Sequence, residues 1–185
     1  MSNYLSKAIN DHSKALSHID KDKIYLASDL IKKALINSNT VFWCGNGGSA
    51  SQANHLSAEL IGGMYKEKKS PFKSICLNVD TAFISAWSND DSFNNIFSRQ
   101  LGALAQSGDI LIALSTSGNS SNLINAAKYC KNNGIKIISF TGFEGGVLKD
   151  LSNININIAI TNTQRVQEMH ILVGHLICDI IEKDL

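Results

Sequence analysis

The chain has 185 residues, of which 44% are hydrophobic, and its formal net charge is +1 at pH 7. This length predicts a globular domain whose core is large enough to fold unaided, and this charge excludes a general attraction to nucleic acid or to an anionic membrane. No apolar run approaches the roughly 20 residues of a membrane-spanning helix. The N-terminus is too polar for a signal peptide and the four cysteines are widely spaced, so we expect a cytoplasmic protein with reduced thiols.

Apolar residues recur at helical spacing in the first part of the chain, which predicts helices at residues 3–19 and 23–36. Helices that precede the first strand of an α/β domain often pack on a partner subunit. We therefore expect residues 1–37 to contribute to an oligomer interface.

Five apolar runs farther along the chain have the length and composition of buried strands. They are residues 40–44, 73–79, 109–114, 135–140 and 154–160. Helices are predicted at 50–60, 81–87, 93–106, 121–132, 147–151 and 165–183, with a charged loop at 64–72 and a polar turn at 88–91. Asp80 is expected to cap the helix at 81–87, and Gly134 is expected to follow the helix at 121–132 in a left-handed conformation.

Strands that alternate with helices, and that are too apolar to face water, predict a parallel sheet with helices on both faces. The expected fold class is α/β, with a doubly wound, flavodoxin-like sheet of five parallel strands and extra N-terminal helices. Ligands of such sheets bind beyond the carboxyl ends of the strands, at the point where the strand order reverses. Two polar loops, after the first and third strands, lie at such ends.

The loop after the first strand is rich in glycine. Residues 45–49 read Gly-Asn-Gly-Gly-Ser, and a turn of this kind brings backbone N–H groups close to a ligand. Gly45, Gly47 and Ala50 also match the dinucleotide pattern G-x-G-x-x-A. However, polar residues follow instead of small apolar ones, and the acidic residue expected about 20 residues later is missing, which disfavours nucleotide binding.

The loop after the third strand is rich in hydroxyl groups. Its hydroxyl-bearing residues are Ser115, Thr116, Ser117 and Ser120, just ahead of a helix N-terminus. Hydroxyl donors, backbone N–H groups and the helix dipole together suit a phosphate dianion. The absence of lysine from the loop indicates a phosphate monoester rather than a nucleotide with Mg²⁺. The alternative, that Asn119 or Ser120 only caps the helix, needs one such residue and not five.

The helix after the glycine turn carries His55 and Glu59, which are four residues apart and therefore share a face. An imidazole–carboxylate pair beside an anion site indicates proton transfer near a phosphorylated substrate. The alternative is a surface pair without a role. The last helix carries further polar residues, namely Gln167, Glu168, His170 and His175.

Four motifs, GNGGSA, HLSAELIGG, STSGNS and RVQEMH…GH, together resemble the sugar isomerase (SIS) domain proteins. Within that group, the His55–Glu59 and Gln167–His175 pairs resemble the phosphoheptose isomerase family. The resemblance runs over nearly the whole chain, so we expect a single SIS domain over residues 1–185.

The resemblance implies an enzyme that converts sedoheptulose 7-phosphate to D-glycero-D-manno-heptose 7-phosphate through an enediolate. In the family this is the first step toward activated heptose for lipopolysaccharide or capsule. The resemblance also implies a homotetramer with active sites shared between subunits, one zinc ion per subunit, and neither a nucleic-acid nor a membrane partner.

The functional residues of the family carry over to matching motif positions of this sequence. The implied zinc ligands are His55, Glu59, Gln167 and His175, with Glu59 as base and His175 as acid. The implied phosphate loop is Ser115, Thr116, Ser117 and Ser120. The other implied substrate contacts are Asn46, Gly47, Gly48, Ser49, Asn89, Asp90 and Gln167. Many relatives have an arginine near the sugar where this chain has Gly63.

Aldose–ketose isomerisation needs a base, an acid and positive charge where the oxyanion develops, and zinc supplies the last by polarising the carbonyl. Gln167 and His175 are eight residues apart, about 12 Å along a straight helix, whereas zinc–ligand bonds are about 2.0–2.2 Å. We therefore predict that a second subunit completes the site, or that the helix is irregular near Gln167.

The alternative functions are a non-catalytic SIS regulator that binds a sugar phosphate and an isomerase of another sugar phosphate.

Overall fold

Five strands form one parallel sheet in the computed structural model, which describes residues 2–65 and 70–185. The strands are β1 (Val41–Gly45), β2 (Ser74–Cys76), β3 (Ile110–Ser115), β4 (Lys136–Gly142) and β5 (Ile154–Ile158). The helices are α1 (Ser2–Ala15), α2 (Lys21–Ile36), α3 (Gly48–Gly62), α4 (Thr81–Asp90), α5 (Ile96–Leu104), α6 (Ser121–Asn132), α7 (Gly146–Leu151) and α8 (Thr163–Asp184). Residues 66–69 of the predicted charged loop lie outside the described residues.

The strand order is β2-β1-β3-β4-β5, and every neighbouring pair is parallel. The order reverses between β1 and β3. From β1 the chain continues to β2 on one side of the sheet, and from β3 it continues to β4 and β5 on the other side. Gly45 pairs in register with Leu114, which brings the loops that follow β1 and β3 side by side. The predicted doubly wound α/β fold is confirmed, and its switch point lies between the two polar loops.

Alternate side chains of β1 fill the two faces of the sheet. Val41 and Trp43 pack with α2, α3 and α8, whereas Phe42 and Cys44 pack with α5 and α6. All four are 0% exposed, and full burial of a side chain such as Val or Phe contributes about 1.5–3 kcal/mol. A strand that is apolar on both faces is stable only between two helical layers, which is why the continuous apolar run predicted this fold.

Strand β2 is shorter than predicted, ending at Cys76 instead of residue 79. The side chain of Asn78 replaces the missing backbone pairing. Its Oδ1 accepts the Gly45 N–H at 3.1 Å and its Nδ2 donates to the Gly45 carbonyl at 2.9 Å. Asn78 therefore fixes the end of β1 at the start of the glycine turn.

The predicted polar turn at 88–91 is wrong, because α4 continues to Asp90. Inside the helix, the Ser88 hydroxyl donates to the Ile84 carbonyl at 2.6 Å, so a polar side chain is satisfied without ending the helix. Asp80 caps α4 as predicted, accepting from the Phe83 N–H at 2.9 Å. None of the described helices combines the length and the hydropathy that a bilayer span requires.

Candidate active site

A reciprocal pair of amides joins the loop after β1 to the start of α6, the helix that follows the β3 loop. Asn46 Nδ2 donates to Asn122 Oδ1 at 2.9 Å, and Asn122 Nδ2 donates back to Asn46 Oδ1 at 2.9 Å. Asn122 lies in the first turn of α6 and is only 2% exposed. Sequence reasoning missed Asn122. The sequence contains one clue. Ser120 already occupies the N-cap position of the helix, so the polar residue Asn122 is not needed as a cap.

The hydroxyl-rich loop turns its side chains toward one another. Ser115 Oγ lies 3.5 Å from Ser117 Oγ and 3.5 Å from Ser120 Oγ. Ser120 occupies the N-cap position of α6, yet its side chain makes no capping hydrogen bond. The Ser120 hydroxyl is therefore not used as a helix cap, and it remains available to a ligand at the positive end of the helix.

The two loops border one open pocket of about 340 Å³. It is lined by Asn46, Gly47, Gly48, Ser49, Leu114, Ser115, Thr116, Ser117, Ser120, Thr163 and Gln167. All of these except Leu114 and Thr163 are predicted substrate-binding residues. The pocket is thus a cradle of hydroxyl, amide and backbone groups at the switch point, of the kind that suits a phosphate monoester.

Gln167 reaches this pocket from α8. Its side chain lies against Gly48, where a Cβ atom would come within 2.8 Å of Gln167 Nε2. Gln52 of α3 donates from Nε2 to the Gln167 carbonyl at 2.6 Å, which ties the two helices together. Because α8 is one uninterrupted helix from Thr163 to Asp184, the second of the two predicted alternatives, an irregular helix near Gln167, is wrong. Completion of the site by a second subunit stays a prediction.

Three of the four predicted metal ligands meet farther along α3 and α8. His55 Nε2 lies 2.7 Å from His175 Nε2 and 3.3 Å from Glu59 Oε1. The ligand atoms of the three side chains all lie within 4.8 Å of one another. Gln167 of the same chain is two helical turns away, about 12 Å along α8, so this chain does not bring it to the cluster.

The His55–Glu59–His175 cluster fits a divalent metal such as zinc. Two imidazole nitrogens and a carboxylate are the donors that zinc prefers, and ligand atoms at about 2.0–2.1 Å in tetrahedral geometry lie roughly 3.3 Å apart. The His55–Glu59 distance already matches this spacing, and the two imidazoles would separate slightly. The side chains of His55 and Glu59 are 48% and 23% exposed, so the cluster is open to solvent.

Asn89 and Asp90 do not join this pocket. They lie exposed at the end of α4, where Asn89 Nδ2 donates to Asp90 Oδ1 at 2.8 Å. No pocket-lining residue comes from α4 in the parts of the chain that the structure describes. Their predicted role as sugar contacts stays a prediction.

Gly63, where the resemblance leads us to expect an arginine, lies in a turn that favours glycine. Its φ is +80°, a left-handed conformation that other residues rarely adopt. The buried carboxylate of Glu182 accepts the N–H groups of Met64 at 2.6 Å and Tyr65 at 3.2 Å, and a Cβ atom on residue 63 would lie 3.2 Å from Glu182 Oε1. Glycine at position 63 therefore suits the backbone of this turn.

His170 is a fully buried residue of α8 that sequence reasoning left without a role. Its Nε2 lies 3.0 Å from the Thr141 carbonyl, and its ring packs edge-on against Phe140. Burial lowers the pKa of His170 to about 4, against the smaller opposing effect of the hydrogen bond to Thr141. The imidazole is therefore neutral near pH 7.

This depressed pKa predicts an acid-sensitive fold. The unfolded chain takes up a proton at the ordinary histidine pKa near 6.5, and the folded chain only near 4. The free energy of unfolding should therefore fall as the pH drops from about 6.5 toward 4, by at most about 3 kcal/mol. Urea unfolding at several pH values measures this, and His170→Gln, which removes the titrating group, should flatten the profile. Parallel profiles for the two proteins would contradict the prediction.

Fold and site together define a class: doubly wound α/β domains with a hydroxyl-rich pocket at the switch point and an imidazole–carboxylate cluster on the helices beside it. The family model described as SIS domain matches residues 3–142. A phosphoheptose isomerase from a Nitratiruptor species is 40% identical, over 99% of this chain and 99% of its own.

Two solved structures match the fold over nearly the whole chain. A phosphoheptose isomerase from Neisseria gonorrhoeae has a TM-score of 0.87 at 34% identity, covering 98% of this chain and 96% of its own. One from Francisella tularensis has a TM-score of 0.90 at 31% identity with the same coverage. The chain belongs to the phosphoheptose isomerase family of SIS domain proteins. The predicted family and the predicted class of enzyme, a sugar-phosphate isomerase, are confirmed.

Proposed function

We propose that this enzyme converts sedoheptulose 7-phosphate to D-glycero-D-manno-heptose 7-phosphate, the first step toward activated heptose for lipopolysaccharide or capsule. The observation that carries the proposal is the pairing of two subsites on the same helices. The N-terminal ends of α3 and α8 line part of the hydroxyl-rich pocket, and the same two helices carry the His55–Glu59–His175 cluster farther along. A sugar with its phosphate at one end and its carbonyl at the other needs this division, and the relatives are named for a phosphorylated heptose.

In the proposed reaction, the phosphate is held by the Ser115–Ser120 hydroxyls and by the N-terminus of α6. Glu59 removes the proton from C1 of the ketose and returns it to C2, while His175 exchanges protons with the two oxygens. A zinc ion held by His55, Glu59 and His175 would supply positive charge next to the oxygens of the enediolate. Thr163 and Leu114 also line this pocket.

We propose one zinc ion per subunit, held by His55, Glu59 and His175. Gln167 would be the fourth ligand only from a neighbouring copy, because Gln167 of the same chain lies against Gly48. The protein is expected to hold about one zinc per chain by elemental analysis, since three protein ligands are the usual set of a catalytic zinc site. His55→Ala should lose the metal, whereas His18→Ala, at an exposed histidine, should retain it. Equal zinc content in the two variants would contradict this assignment.

We further propose a homotetramer with shared active sites. The N-terminal helix α1 leaves a strip of large apolar side chains in solvent: Tyr4, Leu5 and Ile9 are 73%, 64% and 65% exposed. Burial of such a strip favours association. Analytical ultracentrifugation should therefore show a stable oligomer, and monomers obtained by dilution should lose activity. Monomers with full activity would refute the shared site.

The proposed cellular location is the cytoplasm. Four cysteines are free and buried, as is usual where thiols stay reduced. Burial raises the pKa of Cys130 and of Cys178 to about 12, so neither is a reactive thiolate near pH 7.

The decisive experiment is a coupled assay that detects heptose 7-phosphate formed from sedoheptulose 7-phosphate by the zinc-loaded protein. Fructose 6-phosphate and ribulose 5-phosphate serve as competing ketose phosphates. Turnover of the heptulose in preference to both supports the proposal. Turnover of another ketose alone would make the protein an isomerase of that sugar, and binding without turnover would make it a sugar-phosphate sensor.

A further inference from the structure

His170 is buried in α8 between Gln167, which lines the pocket, and His175, which belongs to the cluster. It lines neither the pocket nor the cluster. A neutral imidazole has one N–H group, and the contact with the Thr141 carbonyl at 3.0 Å places that proton on Nε2. Nδ1 is then a buried acceptor that has no partner among the described residues. Burying this unpaired Nδ1 atom costs stability, and an apolar side chain at position 170 would avoid the cost. The hydrogen bond from His170 Nε2 to Thr141 is therefore the feature that favours a histidine here.

The Thr141 carbonyl, which accepts this hydrogen bond, lies next to the hydroxyl-rich loop. Thr141 pairs in register with Ser115 at the ends of β4 and β3. The following residue, Gly142, donates its N–H to the Thr116 carbonyl at 3.1 Å. A Cβ atom on Gly142 would lie 2.7 Å from the Thr116 carbonyl oxygen and 2.9 Å from Val166 Cγ2. The end of β4 is therefore held tightly between the hydroxyl-rich loop and α8.

We propose that His170 is a positioning residue, which fixes α8 along its axis relative to the phosphate loop through its hydrogen bond to Thr141. The helix rises about 1.5 Å per residue, so even a slip of less than one residue would move Gln167 and His175 together. The distance between the pocket that holds the phosphate and the cluster that moves the proton would then change. A misplacement of about 1 Å can lower a rate about 100-fold.

This inference rests on the proposed function, and it makes a selective claim. Replacing His170 should not change the affinity for a ligand that contacts only one subsite, but it should lower the affinity for a ligand that spans both. Inorganic phosphate reports on the hydroxyl-rich loop alone. Sedoheptulose 7-phosphate reports on the spacing between the loop and the cluster.

The test compares two variants that carry the same amide at different reach. His170→Gln can place its N–H near the position of Nε2, and His170→Asn is too short to reach Thr141. We expect His170→Asn to lower kcat and the affinity for sedoheptulose 7-phosphate, by about 10- to 100-fold for kcat, with affinity for inorganic phosphate within about twofold by calorimetry. His170→Gln should recover most of kcat. If His170→Asn does not fold, His170→Leu takes its place.

Two results would overturn the inference. One is a folded His170→Gln variant as impaired as His170→Asn, which would show that the hydrogen bond to Thr141 is not what matters. The other is a parallel loss of affinity for inorganic phosphate, which would indicate general damage to the loop. If the wild type binds sedoheptulose 7-phosphate without converting it, the proposed function fails, but the comparison of the two affinities still decides the inference.

Discussion

Glu59→Gln is expected to lower kcat for sedoheptulose 7-phosphate by about 10²- to 10⁴-fold, the usual contribution of a positioned general base. The carboxylate lies 3.3 Å from His55 Nε2 in a half-exposed cluster. It is the acidic member of the three side chains that meet there. Glutamine has nearly the same shape but cannot accept a proton near pH 7, so chemistry should fail while the fold persists.

Three measurements make the Glu59 experiment specific. Thermal denaturation should be nearly unchanged, because Glu59 is partly exposed on α3. Zinc content shows whether the variant has lost the metal as well as the base. Asp150→Asn removes one negative charge at an exposed site on α7 and should retain full turnover. If Glu59→Gln holds zinc and keeps more than about a tenth of wild-type kcat, the proton transfer belongs to another residue.

Ser120→Asp should strongly weaken substrate binding without weakening the helix. Aspartate is as good an N-cap residue as serine, and the serine hydroxyl makes no capping bond that could be lost. A fixed carboxylate in the pocket would instead repel the substrate phosphate. At an effective dielectric constant of about 20, two unit charges about 4 Å apart repel by about 4 kcal/mol, so KM should rise by about 10²- to 10³-fold.

The matched control is Ser121→Asp, which puts the same charge one residue later on the exposed side of α6. Ser121 does not line the pocket, so its effect on KM should be small. Ser120→Ala should raise KM only modestly, by the loss of one hydrogen bond to the phosphate. Equal KM values for the two aspartate variants would mean that the phosphate binds elsewhere.

The architecture was predictable because it depends on local sequence signals, such as apolar runs, helix caps and glycines that follow helices. The continuous apolar run of β1 indicates burial on both faces, and Asp80 and Gly134 mark helix ends by their local chemistry. The glycine-rich and hydroxyl-rich loops follow apolar strands, and parallel strands place such loops at one edge. The sequence therefore predicts that the two loops converge on one pocket, as the structure shows.

The relations between distant side chains were not predictable in the same way. Gln167 and His175 share a motif, yet the helix separates them, and only the packing of α3 on α8 shows that His55 meets His175. Asn122 and His170 are ordinary polar residues in a helical pattern until their partners are known. Asn89 and Asp90 stay predictions, because a single chain does not bring them to the pocket.

The reciprocal amide pair between Asn46 and Asn122 has a consequence for inhibitors. It joins the loop after β1 directly to the start of α6, so this part of the pocket is held by contacts within the protein itself. A receptor of this kind is preorganised, so little conformational entropy is lost when a ligand arrives. Compact, rigid phosphate mimics should therefore bind this pocket with higher affinity than flexible inhibitors that make the same contacts.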